Sequence, residues 1–322
     1  MYVTRDLTGD TGPGVKLTDS EMVFPFASDV STFDSDGDGG LDRIYAVDVG
    51  GQVWRVDMSP DLSETGSLNV SAERLANLSF NNRFNPTAPP AAADERRLFY
   101  RPAVVRVRDD VTFSSVSDYD IVVVATGERP NPLETAVQNR IYAFRDTFIT
   151  PNDDLGGNFY PDGSGSADPW TVSDLFNLSS INDPQGADLS SLNGAKGWYI
   201  DLPDSGEKAL SAAEVIAGKL FITTYLPAGV VSGSSCSLAE GNGRLWGLNV
   251  LNAAALFNWD GVGDSDNLTK SDRYYTLGPG IPSSAVPIFQ PEGVTLLIGG
   301  GGIESVDPDV DIPRFETYWY QQ

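Results

Sequence analysis

Histidine is absent from this chain, and cysteine occurs once, at Cys236. The first absence removes the commonest general base, the commonest zinc ligand and any Ser-His-Asp mechanism. The second excludes an internal disulfide; a buried, inert thiol is the expectation for Cys236. No run of 18 or more apolar residues occurs, so no transmembrane helix is expected. Positive charge is scarce: 21 Lys and Arg face 45 Asp and Glu, a net charge of -24. Nucleic acid is therefore a poor partner, because its phosphates would be repelled. The first residues, Met1-Tyr2-Val3-Thr4-Arg5-Asp6, do not resemble a signal peptide. The expectation is either a cytoplasmic protein or a piece of a longer one.

What is plentiful is glycine, proline and aromatic residues, with 33 Gly and 21 Pro among 322 residues. That favours many short strands joined by tight turns. Two alternating runs, Arg43 to Asp48 and Gln52 to Asp57, flank Gly50-Gly51 and predict a β-hairpin. Further strands are predicted at Asp120–Thr126, Arg140–Arg145, Gly218–Tyr225, Gly243–Asn249 and Gly293–Ile298. Segments 75–95, 151–168 and 181–191 read as long surface loops, and Ser211–Ala217 could form a helical turn.

One unit recurs. Arg43-Ile-Tyr-Ala-Val, Arg140-Ile-Tyr-Ala-Phe and Arg244-Leu-Trp-Gly-Leu share Arg, aliphatic, aromatic, small, apolar; Gln52-Val-Trp-Arg-Val is a weaker relative. The aromatic and the final apolar residue fall on one strand face, and the small residue between them lets a neighbouring sheet approach. Such recurrence predicts an all-β chain, a partial or modified β-propeller with long insertions, over an ordinary sandwich. Residues 1–322 are read as one such domain.

Asp34-Ser-Asp36-Gly-Asp38-Gly-Gly40-Leu-Asp42 places carboxylates at loop positions one, three, five and nine. Calcium takes six to eight hard oxygens, and alternate side chains of a tight loop can aim at one ion. The predicted ligands are Asp34, Asp36, Asp38, the Gly40 carbonyl and Asp42, with Ca2+ as the cofactor. Leu41 is expected to pack into the core. Position twelve is Tyr45, not Glu, so the loop is not a helix-flanked EF-hand. Two other acidic clusters, at 260–266 and 307–311, lack the spacing and read as solvated loops.

The calcium loop running into Leu41-Asp-Arg-Ile-Tyr-Ala-Val-Asp-Val-Gly-Gly-Gln-Val-Trp-Arg-Val-Asp57 resembles the PilY-type type IV pilus tip proteins. Weaker matches follow in the same order: Val122 to Glu128 with Asn139 to Asp146, Lys219 to Pro227, Cys236 with Gly241 to Asn249, Gly280 to Pro287 with Ile298 to Gly301, and the tail Arg314 to Trp319. Ala125 departs from the family's Gly-Thr-Gly segment. The resemblance implies a calcium-binding propeller supporting pilus assembly, retraction and surface adhesion. Its location would be extracellular, at a pilus tip or the outer cell surface. The implied partners are minor pilins or the tip complex, a surface receptor, and a second chain completing the propeller. It also implies that this chain is the C-terminal part of a longer or split protein. No catalysis is expected. The alternatives are an integrin-α-like calcium-stabilised binding propeller and a quinoprotein dehydrogenase-like propeller.

Overall fold

The computed structural model describes residues 2–3, 16–17, 22–35, 37, 39–58, 70–79, 92–112, 117–147, 149, 169–228, 240–262, 267–290, 293–300 and 302–310. Four sheets follow one another along the chain. The first is β3 (Ser31–Phe33), β4 (Arg43–Val47), β5 (Gln52–Met58) and β6 (Val70–Asn77), in that order. It is preceded by a two-residue parallel ladder, β1 (Tyr2–Val3) with β2 (Lys16–Leu17). The second sheet runs β7 (Ala103–Asp109), β8 (Ser117–Ala125), β9 (Arg140–Asp146), β11 (Gly197–Asp201) and β10 (Phe176–Asn177). The third runs β12 (Lys208–Ala209), β14 (Lys219–Leu226), β15 (Asn242–Asn249) and β16 (Tyr274–Pro279), with β13 (Glu214–Ile216) also on β14. The fourth has three strands, β17 (Val286–Gln290), β18 (Gly293–Gly299) and β19 (Ile303–Val306). All pairings in these four sheets are antiparallel except β10 with β11.

The sheets stack face to face in chain order, and period-two alternation decides what each face meets. Tyr45, Val47 and Val53 of the first sheet share a core with Val122, Val124, Tyr142 and Phe144 of the second. The opposite face of the second sheet, with Ile121, Val123, Ile141 and Trp198, packs on Leu220, Ile222, Trp246 and Leu248 of the third. The third sheet's far side, Phe221 and Leu245, packs on Leu296 and Ile298 of the fourth. The two middle sheets are thus covered on both faces, which is why β8 reads as a continuous apolar run.

The predicted hairpin is present as β4 and β5. Its turn is fixed by Asp48, whose Oδ1 accepts the N–H groups of Gly50 (2.9 Å) and Gln52 (3.1 Å) and whose Oδ2 accepts Trp54 Nε1–H (2.9 Å). Gly51 takes φ +83°, and a Cβ there would lie 2.6 Å from the Arg96 carbonyl oxygen.

The recurrent unit has a different register from the one expected. Arg140 and Arg244 lie on the third strands of their sheets, whereas Arg43 lies on a second strand. The third strand of the first sheet carries Gln52-Val-Trp54, the weaker relative. Trp54, Tyr142 and Trp246 are therefore the equivalent aromatics, all on the face turned toward the preceding layer. Tyr142 faces the first sheet and Trp246 the second, while Trp54 packs against Met22 and Phe26. The small residue behaves as expected at Gly247, where a Cβ would meet the Trp259 ring at 2.6 Å.

Three local expectations are corrected. Glu214–Ile216 is a strand on β14, not a helical turn, since the β-branched pair Val215-Ile216 completes a hairpin with Lys219-Leu220. Within 181–191 the chain begins α1 (Ala187–Gly194), whose residues pack only one side chain, Leu192, into the core, so it carries little helical periodicity. The loop expected from Leu75 starts later, because Leu75 to Asn77 belong to β6. Segments 80–91 and 151–168, and Cys236, lie outside the described residues. Among the described residues no helix is long and apolar enough to cross a membrane.

Candidate functional site

The loop 34–42 joins β3 to β4, and each end is hydrogen-bonded into the first sheet. Asp42 N–H donates to the Phe33 carbonyl (3.2 Å), and the Asp42 carbonyl accepts Met58 N–H (2.7 Å). Asp34, at the first predicted ligand position, accepts Gly37 N–H on Oδ1 (2.7 Å) and Gly39 N–H on Oδ2 (2.8 Å). Gly37 and Gly39 have φ of +81° and +90°, which wraps the backbone around that carboxylate. Asp42, at the last predicted position, is buried, and its Oδ2 accepts both the N–H and the hydroxyl of Ser35 at 2.6 Å. The first and last predicted carboxylates are thereby drawn to adjacent backbone positions, 34 and 35. Gly40 is exposed. Asp36 and Asp38 lie outside the described residues, and among the described residues no group of three acidic, His or Cys side chains is placed to hold a metal ion.

Leu41 is corrected: it is 44% exposed instead of packed in the core. The buried neighbours on either side of the strand entry are Asp42 and Arg43, both at 3% or less. Polar side chains take the inward positions here because a buried ionic cluster lies directly behind the loop.

That cluster is the feature the motif reading missed. Arg43 Nε donates to Asp57 (2.9 Å), and its Nη1 crosses to Asp120 of the second sheet (2.7 Å). Arg55 donates Nε and Nη2 to Asp57 (2.8 and 2.7 Å), and its Nη1 reaches both oxygens of Asp146 (2.7 and 2.6 Å). Tyr45 hydroxyl donates to Asp146 at 2.8 Å. Arg106 Nε donates to Asp120 from the far side. Arg43, Arg55, Asp120 and Asp146 have fully buried side chains, and Asp57 is 4% exposed. Among the described residues three arginines thus meet three aspartates across the junction of the first two sheets. Burial alone would lower the Arg55 pKa, but Asp146, Tyr45 and Asp57 outweigh it and hold the guanidinium charged. Arg55 stands where the recurrent unit has its small residue, which is the sequence signal for this substitution of charge for close approach.

The other strand-entry arginines pair locally. Arg140 donates to Asp201 (2.5 Å) and stacks over Tyr199 with 4.4 Å to the ring centre. Arg244 pairs with Asp204 (2.5 Å) and Glu207, and stacks over Tyr274 at 4.4 Å. Of the remaining acidic segments, Asp260 accepts Val262 N–H (2.8 Å) and the Ser271 hydroxyl (2.9 Å), as a loop carboxylate would.

No protein-family model matches the sequence, and no curated protein matches it. Among solved structures, the C-terminal domain of PilY1 from Pseudomonas aeruginosa has the same fold, with a TM-score of 0.54 at 17% sequence identity. The match covers 87% of this chain and 61% of that one, so the chain spans about three-fifths of the length of that structure.

Proposed function

We propose that this chain is a calcium-binding β-propeller module of a type IV pilus tip-associated protein, supporting pilus assembly and retraction and surface adhesion. The observation that carries the reading is the pairing of a fold like the PilY1 C-terminal domain with the aspartate loop at the entry of its first complete hairpin. Four stacked sheets, three of which carry the recurrent third-strand aromatic, support a propeller arc. The donor set fits a hard dication: Asp34 and Asp42 are oriented by backbone and Ser35 donors, and in the sequence Asp36 and Asp38 supply the intermediate positions. The ion, when bound, offsets two of the four negative charges of neighbouring carboxylates that otherwise repel. The reading includes no catalysis. It places the module at the pilus tip or outer surface, with minor pilins and a surface receptor as partners and a further chain completing the propeller.

Two measurements test it. Calcium at about 100 times its Kd should stabilise the fold by about 2.7 kcal/mol. Asp42→Ala and Asp38→Asn should abolish that increment, and Asp38→Asn should do so without disturbing the buried Ser35–Asp42 contact. An unchanged calcium increment in both variants refutes the site. Recovery of the protein with pili sheared from the cells that make it supports the pilus assignment, and its absence from that fraction contradicts it.

A further inference from the structure

The fourth sheet differs from the other three at one strand. β5, β9 and β15 are third strands, and each is hydrogen-bonded on both edges. β5 is buried throughout, and β9 and β15 are buried except at their ends. β19 is the third strand of its sheet, yet Ile303, Glu304 and Ser305 are exposed, Ile303 at 83%. Among the described residues no strand pairs with its outer edge.

The neighbouring sheet shows where a fourth strand would lie. Elsewhere, fourth strands pack on fourth strands: Tyr274 of β16 sits in one core with Trp198 and Ile200 of β11. The next residue, Tyr275, faces the other way, toward the fourth sheet, because it is registered on Leu245 of the third-to-fourth core. Its ring is 6.3 Å from Trp259, and it is 42% exposed. Leu277, two residues on, packs on that same core. A backbone edge with no strand on it among the described residues and a half-covered aromatic surface therefore flank one core, on which Leu277 and Val306 both pack.

We propose that the outer edge of β19 is a strand-addition site, which takes an extended segment of a partner protein carrying alternating aliphatic side chains and basic residues. This goes beyond the calcium reading and does not depend on it. Strand addition draws affinity from main-chain hydrogen bonds and selectivity from alternate side chains. The alternating aliphatic residues would cover Tyr275 and Leu277. The basic residues follow from charge: Glu304 is exposed on the edge and Asp307 follows the strand, while Asp309 is already paired with Lys219 (3.4 Å). A second copy of this chain is disfavoured, since it would bring another Glu304 and a further net charge of -24 to the same edge.

The test uses the full chain and a ten-residue synthetic peptide of alternating Val and Lys. Amide hydrogen exchange at 303–306 is expected to slow at least tenfold on adding the peptide. The same peptide with alternate amides N-methylated should give no protection, and a Val/Glu peptide should bind at least tenfold more weakly at low salt. Glu304→Lys should reverse that last preference. Equal protection by the N-methylated peptide overturns the proposal, because it indicates apolar adhesion without strand pairing. No protection at millimolar peptide overturns it as well. So does exchange at 303–306 in the chain alone as slow as at 244–247, which would mean the edge is already occupied, by residues 311–322 if their deletion restores exchange and by a second copy if dilution does.

Discussion

Asp146→Ala removes the carboxylate that accepts both an Arg55 nitrogen and the Tyr45 hydroxyl across the first two sheets. The substitution strips a fully buried guanidinium of its bonds to Asp146 while those to Asp57 stay, and it takes the printed acceptor from the buried Tyr45 hydroxyl. Breaking one partner of such a buried pair costs about 3–5 kcal/mol. At about 2–4 °C per kcal/mol for a large domain, the midpoint of thermal unfolding should fall by roughly 6–20 °C. The assay is a circular dichroism melt of wild type, Asp146→Ala, Arg55→Met and the double variant. The double variant should lose less than the sum of the two single losses, because both single changes remove the same Arg55–Asp146 contact. A drop below about 3 °C for Asp146→Ala, or losses that simply add, would refute the view that this cluster joins the sheets.

Other consequences can be checked separately. Burial raises the Asp48 pKa to about 6, against the opposing pull of its Trp54, Gln52 and Gly50 hydrogen bonds. The unfolded value is about 3.9, so the folded state holds the proton more tightly, and the Asp48 contribution to stability grows as pH falls from about 7 toward 4. A carboxyl carbon NMR titration should give a midpoint near 6, and an ordinary carboxylate midpoint near about 4 contradicts the burial argument. Gly51→Ala must either leave φ +83° or push the Arg96 carbonyl from 2.6 Å, and should cost about 1–3 kcal/mol in denaturant titration. A neutral effect would mean that the hairpin turn is not held against residue 96.

The sequence made the strands legible wherever short-range periodicity sets them. The hairpin at 43–57, the strands at Arg140 and Arg244, and the apolar run at Ile121–Val124 follow from alternation and turn chemistry alone. The order of the repeat was harder to see, since Arg43 imitates Arg140 and Arg244 while occupying a second strand. Only the facing of Trp54, Tyr142 and Trp246 reveals the true equivalence. The ionic cluster was not legible because its partners are far apart in the chain: Arg43 and Asp120 by 77 residues, Arg55 and Asp146 by 91. In sequence these residues read as ordinary polar ends of strands. Leu41 was misplaced for the same reason, because the inward position at the strand entry goes to Asp42 and Arg43 once their buried partners are known.

The central claim concerns the loop from Asp34 to Asp42, and calorimetric titration of the purified chain with calcium chloride tests it most directly. The account predicts one calcium per chain, with heat of binding lost in Asp36→Asn and Asp38→Asn while the circular dichroism spectrum of both variants stays unchanged. Absence of binding in the wild type, or binding that survives both substitutions, would contradict it.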